Sequence, residues 1–357
     1  MTEVATRTQA PGERPLAAEA TLMFREAASA AEALRAQARA NGARLAEVGR
    51  VLRALRPRTV ITCARGSSDH AATFAKYLIE MRTGVVTASA ALSVSSVYGA
   101  AQDLRQCLFI VISQSGRSPD LIAATQAAAG AGATTLALVN AEDSPVERAA
   151  HYCLPLAAGP ELSVAATKSY IASLGALVAV VAEWTGDEPL ASALAAAPAQ
   201  LEQAWALDWS AALERLVPAS HWYVIGRGLG LSVAQELALK CKETCGLHAE
   251  AFSGAEVRHG PQALLGKEFG TLLLAQDDAT RTGLEALGAE LVGRGVTVFA
   301  AGVSPRGALV LPTLVADAAI GPLLLAQSGY GLITRLAIAR GRDPDRPPHL
   351  AKVTETR

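Results

Sequence analysis

The sequence has little excess charge of either sign. Its 357 residues include 32 Lys and Arg against 33 Asp and Glu, which gives a formal net charge of −1, and its pI is about 6.6. Proteins that bind nucleic acids or membrane surfaces usually carry a basic patch or tail. The balance predicts neither a nucleic-acid nor a membrane partner, so local groups must hold any anionic ligand.

Long apolar runs and paired cysteines are also lacking. The stretches around Ile171–Trp184 and Leu311–Leu325 are too short for a bilayer span or are interrupted by charged residues and proline, and we expect them to be buried helices. Residues 1–16 have no apolar core and are predicted to be a disordered leader, not a secretion signal. The five cysteines include no CxxC pair or metal-ligand spacing, which favours reduced thiols, a cytoplasmic protein and no metal or organic cofactor.

The residues that are present suit a large core, because 51% of them are hydrophobic and only 18% charged. Strand-like runs alternate with helical segments at 59–63, 108–112 and 134–139, and again at 222–225, 272–275 and 296–300. Such alternation predicts parallel sheets covered by helices on both faces. The two sets are offset by 162 residues, the separation of Arg65 and Arg227.

We therefore predict an α/β fold made of two copies of one doubly wound unit, followed by a C-terminal tail. The predicted parts are a leader with an N-terminal helix (1–45), a first domain (46–190), a second domain (210–347) and the tail (348–357), with an alanine-rich helical connector around 185–215. The second copy has Asp277 and Asp278 where the first has Ser115 and Gly116. Because carboxylates repel anions, only the first copy is expected to keep an anion site at this position.

Two Ser/Gly-rich turns follow strand ends in the first domain, at 65–68 (RGSS) and 113–118 (SQSGRS). A turn of this kind before a helix offers backbone N–H groups, hydroxyls and the positive helix end, at the sheet edge where open α/β sheets bind ligands. One cluster alone would indicate only a turn. Two clusters at equivalent strand ends favour a phosphate monoester, and neither is a Walker loop or a dinucleotide turn.

A helix predicted over 232–245 carries Glu236, Lys240 and Glu243 at i, i+4 and i+7, so all three lie on one face. On an ordinary helix they would be a surface ion pair. Polar segments at 248–252 and 256–261, the latter with His259, follow directly between turn-forming residues. A carboxylate base and a histidine for ring opening suffice to move a proton between C1 and C2 of a sugar phosphate without a metal. Lys352 would take part only if the tail folds back over the site.

Together these segments resemble the sugar isomerase (SIS) family, from about Met23 to the end of the chain. The ordered motifs are ARGSSDHA (64–71), SQSGRSPD (113–120), AGPELSVAATKSY (158–170), ALKCKE (238–243), HAEAF (248–252), EVRHGP (256–261) and LAK (350–352). They are most similar to the isomerase half of glutamine–fructose-6-phosphate transaminase and to its stand-alone glucosamine-6-phosphate deaminase relatives. The resemblance implies two tandem SIS domains.

The resemblance also implies a role for each matching residue. Glu243 would be the C1/C2 proton-transfer base, with Lys240 and Glu236 beside it, and Lys352 would form an imine with the open-chain ketose. His259 would open the ring and would come from the second subunit of a homodimer. The sugar phosphate, the only ligand expected, would contact Arg65, Gly66, Ser67, Ser68, Ser113, Gln114, Ser115, Ser118, Val164 and Ala166.

The sequence departs from the transaminase pattern at three places. Arg65 stands where the transaminase usually has Cys, Ala166 stands where it has Ser, and Thr2 takes the position of the glutaminase nucleophile. With no room for a glutaminase domain, we expect a hydrolytic enzyme of amino sugar metabolism. Its reaction would be the reversible deamination of glucosamine 6-phosphate to fructose 6-phosphate and ammonia.

Three alternatives remain open from the sequence. One is a deglycase or isomerase acting on another amino-sugar or fructosamine 6-phosphate, and another is a synthase subunit that accepts ammonia from a separate glutaminase. The third is a non-catalytic sensor of a sugar phosphate. A sensor is disfavoured because the region before the first predicted strand has no clear helix-turn-helix and no basic cluster, and because Glu243, His259 and Lys352 are all present.

Overall fold

The computed structural model describes residues 16–352, so most of the predicted leader and the last five residues of the predicted tail lie outside the described residues. Between these limits the chain forms two five-stranded parallel sheets flanked by helices. The predicted α/β fold with two doubly wound units is confirmed.

The strands are β1 Thr59–Cys63, β2 Val86–Ser89, β3 Cys107–Ser113, β4 Thr134–Val139, β5 Tyr152–Pro155, β6 His221–Gly226, β7 His248–Ser253, β8 Gly270–Leu274, β9 Val298–Ala301 and β10 Leu309–Leu311. The α-helices are α1 Leu22–Ala28, α2 Ala30–Leu55, α3 Ser67–Thr83, α4 Leu92–Ser96, α5 Pro119–Gly130, α6 Pro145–Ala149, α7 Lys168–Thr185, α8 Glu188–Trp205, α9 Leu213–Leu216, α10 Gly230–Cys245, α11 Arg281–Gly293 and α12 Gly321–Ala339. Short 3₁₀ helices lie at Ala18–Ala20, Ser210–Ala212, Glu256–Arg258 and Pro261–Leu264.

The two sheets share one strand order. The first is β2-β1-β3-β4-β5 and the second is β7-β6-β8-β9-β10, so each reads 2-1-3-4-5 when counted from its own first strand. In this order the chain reverses direction across the sheet between its first and third strands. The loops after those two strands therefore face each other at the switch point, where doubly wound sheets bind ligands.

The central strands are continuous apolar runs, as expected for sheets covered on both faces. β8 and β9 are buried at every position, and β3 at all but its first. The edge strands lack a continuous apolar run in the sequence. For one of them, the prediction was wrong. Residues 248–252, predicted as a polar segment between turns, form most of edge strand β7, which pairs in parallel with β6, and its alternate residue Ala249 is buried.

Of the two apolar stretches that were predicted to be buried helices, one is helical throughout and the other is helical only in part. Residues 171–184 lie in α7, which is buried at most of its positions, as predicted. The stretch 311–325 is only partly helical, since it starts at the end of β10 and enters α12 at Gly321, because Pro312 and the polar residues after it interrupt the helical pattern. Among the described residues, no helix is both long enough and apolar enough to cross a membrane.

Helix α10 joins the two domains. It packs against α3 of the first domain and against α12 and β7 of the second. One hydrophobic core runs from Met23 to Ala337 and includes residues of both domains. The helix ends where Gly246, in the left-handed region at φ 55°, turns the chain toward β7. The predicted titratable face of α10 is thereby fixed against the first domain.

Candidate functional site

The two Ser/Gly turns lie side by side at the carboxyl edge of the first sheet. One connects β1 to α3 and the other connects β3 to α5, and β1 pairs directly with β3. Ser67 is the first residue of α3, and Ser118 is the N-cap of α5. Two positive helix ends and several hydroxyls therefore meet at one place, the arrangement that favours a bound phosphate.

Arg65 connects these two turns. Its Nε and Nη2 atoms both lie 2.9 Å from Oδ2 of Asp120, in the first turn of α5. The Asp120 side chain is 1% exposed, whereas that of Arg65 is 54% exposed. In this structure the guanidinium holds the turns together, and its predicted contact with the phosphate stays a prediction.

The second turn depends on Ser113 and Gly116. The Oγ atom of Ser113 accepts a hydrogen bond from the Gly116 N–H at 2.9 Å, so this buried hydroxyl shapes the turn. Gly116 has φ +61°, and a Cβ there would collide with Ser144 and would lie 2.9 Å from Cγ1 of Val139. Ser115, Ser118 and Gln114 are half-buried in the same turn, where they could contact a phosphate.

The equivalent turn of the second domain is filled by its own side chains. Nε2 of Gln276 donates to the carbonyl of Arg227 at 2.9 Å and to Oδ2 of Asp278 at 2.7 Å. A Cβ on Gly230 would collide with Oε1 of Gln276. The amide therefore occupies the space between the two turns, beside a carboxylate. This geometry agrees with the expectation that only the first domain keeps an anion site here.

Glu236, Lys240 and Glu243 on α10 form a largely buried cluster, whereas an ordinary helix would carry them as an exposed ion pair. The Lys240 side chain is 1% exposed and that of Glu236 is 0% exposed, with Nζ 3.5 Å from Oε1 of Glu236. Nζ also donates to Oε2 of Glu243 at 2.5 Å, and the Glu243 side chain keeps 22% of its surface exposed. Of the three, Glu243 is thus the one that a substrate can reach.

The opposite charges of Lys240 and its two glutamate neighbours stabilise one another's ionised forms. Burial raises the pKa of Glu236, but the Lys240 ammonium and the hydrogen bond from His70 outweigh it, and the pKa of Glu236 lies below its usual value. Burial likewise disfavours the Lys240 ammonium, but Glu236 and Glu243 outweigh it and raise the pKa of Lys240. Lys240 therefore stays cationic at neutral pH.

Two partners of Glu236 were missed by the sequence analysis. Nδ1 of His70, in α3, lies 2.9 Å from Oε2 of Glu236, and the Tyr330 hydroxyl, in α12, donates to Oε1 at 3.0 Å. His70 belongs to the ARGSSDHA motif, so the motif was a signal that could have identified it. Tyr330 lies in an apolar helical stretch and has no such signal.

The loop from Glu161 to Thr167 carries Val164 and Ala166, both half-buried. The Glu161 side chain is 0% exposed and accepts hydrogen bonds from the N–H of Thr167 at 2.9 Å and the hydroxyl of Ser169 at 2.7 Å. This buried carboxylate, also missed by the sequence analysis, holds the loop in a closed turn before α7.

The tail folds back onto this loop. Nζ of Lys352 lies 3.2 Å from Oε2 of Glu161 and donates to the Ser163 carbonyl at 2.7 Å. Glu161 is also one of the charges that raise the pKa of Lys240, so this one carboxylate interacts with both the tail lysine and the lysine of α10. The predicted role of Lys352 in imine formation stays a prediction.

Helix α1 fastens both the tail and the loop. The Asp345 carboxylate accepts hydrogen bonds from the N–H groups of Leu22 and Met23 at 2.6 and 2.8 Å, which caps the start of the helix. Glu26 accepts the N–H of Leu162 at 2.5 Å and that of Ser163 at 3.1 Å. Burial raises the pKa of Glu26 despite these hydrogen bonds.

His259 is not part of this cluster within one chain. It is exposed, directly after the 3₁₀ helix Glu256–Arg258. Its backbone N–H bonds to the Glu256 carbonyl at 2.9 Å, and among the described residues no hydrogen bond joins its ring to Glu243. Its predicted arrival from a second subunit stays a prediction.

Within 16–352, no group of three or more His, Cys, Asp or Glu side chains is arranged to hold a metal ion.

Comparisons with known proteins place the chain in a family. The family model for the SIS domain matches residues 55–182 and 215–302, one segment in each of the two sheets, and the chain belongs to this family. The matches cover the two Ser/Gly turns of the first domain and the titratable helix α10 of the second.

Similar proteins agree with this assignment. Glutamine–fructose-6-phosphate aminotransferase (isomerizing) from Aeropyrum pernix is 33% identical over 305 residues, which cover 80% of this chain and 49% of the relative. The chain thus spans about half the length of that curated relative. The solved structure of a candidate phosphosugar isomerase from Silicibacter pomeroyi is 39% identical, with a TM-score of 0.87 over 91% of this chain and 100% of that one.

A deaminase structure shares the fold. Glucosamine-6-phosphate deaminase from Thermotoga maritima has a TM-score of 0.73 at 23% identity, over 94% of this chain and 100% of that chain. At this identity the likeness concerns the fold alone.

Proposed function

We propose that the protein is a glucosamine-6-phosphate deaminase, which converts glucosamine 6-phosphate and water reversibly to fructose 6-phosphate and ammonia. The observation that carries the proposal is the cluster around α10. A partly exposed carboxylate, Glu243, lies against the buried Lys240 ammonium, and Glu161, which interacts with that ammonium, also contacts Lys352 of the tail. The two Ser/Gly turns offer a phosphate site in the first domain.

In the proposed mechanism, the phosphate binds between the two turns and His259 of a second subunit opens the pyranose ring. Glu243 then removes the C2 proton and returns it to C1, which converts the aldose amine to a ketimine. The Lys240 ammonium orients the Glu243 carboxylate, since its Nζ lies 2.5 Å from Oε2. Water, or the amine of Lys352 before water, adds to C2, and ammonia leaves.

A second candidate is a synthase subunit that adds ammonia from another protein to fructose 6-phosphate. The 33% identity to the isomerizing aminotransferase favours it, and its site would need the same phosphate turns, base and lysine. The two candidates differ in the direction of the reaction and in the need for a partner protein. A deglycase acting on a fructosamine 6-phosphate would differ only in the leaving amine.

The test is the release of ammonia and fructose 6-phosphate from glucosamine 6-phosphate by the purified protein, without glutamine or added metal. Galactosamine 6-phosphate, N-acetylglucosamine 6-phosphate and a fructosamine 6-phosphate form the comparison panel. Stoichiometric release from glucosamine 6-phosphate alone is expected. No release from any of them, with fructose 6-phosphate still bound in calorimetry, would replace the deaminase with a sensor.

The proposed enzyme is a cytoplasmic homodimer with shared sites, and subunit mixing tests the sharing. Glu243→Gln and His259→Asn are each expected to be inactive. If the base and the ring-opening histidine of one site come from different subunits, a mixed dimer holds one site with both groups intact, and mixing restores activity. If both groups come from one subunit, the mixture stays inactive.

A further inference from the structure

The pair formed by His70 and Glu236 has no role in the mechanism above. The imidazole is one turn beyond the predicted phosphate residues Ser67 and Ser68, at the start of α3. Its Nδ1 lies 2.9 Å from Oε2 of Glu236. A histidine whose Nδ1–H is held by a buried carboxylate has a fixed orientation and tautomer, with Nε2 free to exchange a proton.

In such a pair, the carboxylate should be buried and the imidazole should be accessible to a ligand, and the two exposures agree with this. Glu236 is 0% exposed, whereas the His70 side chain keeps 18% of its surface exposed. Both oxygens of Glu236 have partners, since Oε1 accepts from Tyr330 at 3.0 Å. The carboxylate is therefore a fixed support, and the imidazole is the member of the pair that a ligand can reach.

Other charged or titratable groups surround the pair. Lys240 lies on α10, Tyr330 on α12, Tyr170 on α7 and Asp69 on α3. Burial raises the pKa of Tyr170 and of Tyr330 well above the usual value, so both are neutral, and Lys240 is cationic as shown above. Histidine is the side chain among these types that ordinarily changes its charge between pH 5 and 8.

The position of His70 links the two ends of the proposed substrate. One end, the phosphate, is expected beside Ser67 and Ser68. The other end, with C1 and C2, is expected at Glu243, which connects to His70 through Lys240 and Glu236. We expect an open-chain hexose phosphate that spans these ends to pass the imidazole, which is the exposed member of the pair.

We infer that His70 is a catalytic acid–base residue for the oxygen on C1, oriented by Glu236. This inference rests on the proposed function. As Glu243 removes the C2 proton, the imidazolium donates its Nε2 proton to O1 of the aldehyde, which gives the neutral enaminol. Glu243 then protonates C1 and leaves an iminium at C2.

The proton returns to His70 in the next step. Water adds to C2 of the iminium, and the extra proton of that water goes to Nε2. The carbinolamine then expels ammonia, with the hydroxyl proton moving to nitrogen as the C2–N bond breaks and the ketone forms. His70 and Glu243 thereby end each turnover in their starting states. This role differs from the ring opening assigned to His259, which precedes it.

The first experiment compares His70→Asn with wild type and with a control, His151→Gln. His151 bonds Thr135 at the start of β4, at the opposite edge of the same sheet, and its substitution is expected to leave activity unchanged. His70→Asn is expected to lower kcat about 10²- to 10⁴-fold, with KM changed by less than roughly threefold because the phosphate turns remain. The shape of the kcat–pH profile should differ between His70→Asn and wild type. A kcat within about threefold of wild type and an unchanged pH profile would overturn the inference.

The second experiment does not depend on turnover. Imidazole NMR signals of wild type are assigned to His70 by their loss in His70→Asn and are followed with and without fructose 6-phosphate. The signals are expected to move on binding, and those of His151 are not. Fructose 6-phosphate that binds without moving the His70 signals would overturn the inference even if the deaminase reaction is found. Absence of deamination with a ligand-dependent shift would refute only the proposed reaction.

Discussion

Lys240 is expected to hold the site together electrostatically. Its ammonium is 1% exposed and lies 3.5 Å from Glu236, which is 0% exposed. At an effective dielectric constant of 20, charges this far apart attract by about 5 kcal/mol before desolvation is subtracted. Removing one partner of such a buried pair leaves the other charge unpaired, at a cost of roughly 3–5 kcal/mol. We therefore expect Lys240→Met to lower the free energy of unfolding by roughly that amount.

The reasoning is checked by urea unfolding of three variants. Lys240→Met with Glu236→Gln removes the unpaired carboxylate, so at least about half of the lost stability should return. Lys242→Met changes an exposed lysine on the same helix and should stay within about 0.5 kcal/mol of wild type. A loss below about 1 kcal/mol in Lys240→Met, or no recovery in the double variant, would refute the account of this buried cluster.

Two other predictions follow from buried groups. Glu161→Gln removes the charge that holds Lys352. The loss of about 1 kcal/mol should make trypsin cleavage after Lys352 roughly fivefold faster, and an unchanged rate would exclude this contact as an anchor. Burial raises the pKa values of Cys63 and Cys153 to about 12, so alkylation of the native protein at pH 8 should be about a thousandfold slower than for a free thiol. Rapid labelling of either thiol would contradict these raised pKa values.

The two copies of the fold share one strand order but differ in the side chains of the turn after their third strand. Both sheets read 2-1-3-4-5, and Gln114 and Gln276 follow equivalent strands. In the second copy, the Gln276 amide bonds the neighbouring turn and Asp278 and so fills the place where an anion would bind. The second domain contributes α10 instead, and the site forms where this helix meets the first domain.

The central strands could be predicted because each buries both faces, which leaves a continuous apolar run such as β4, Thr134–Val139. The edge strands could not, because partners cover them on one side only, as in β7. The α10 face was predicted from helical spacing, but its burial was not, since spacing shows which side chains share a face and not what packs on it. Glu161 escaped prediction because its partners are backbone N–H groups, the Ser169 hydroxyl and Lys352, 191 residues away.

The central claim is that this chain moves a proton between C1 and C2 of a hexose 6-phosphate through Glu243. The most direct measurement is proton NMR of fructose 6-phosphate incubated with the protein and ammonium chloride in D₂O. We expect the signal of one of the two C1 protons to disappear with wild type and to persist with Glu243→Gln at matched, folded concentrations. Fructose 6-phosphate that binds wild type but keeps both C1 protons, or that exchanges equally fast with Glu243→Gln, would contradict the claim.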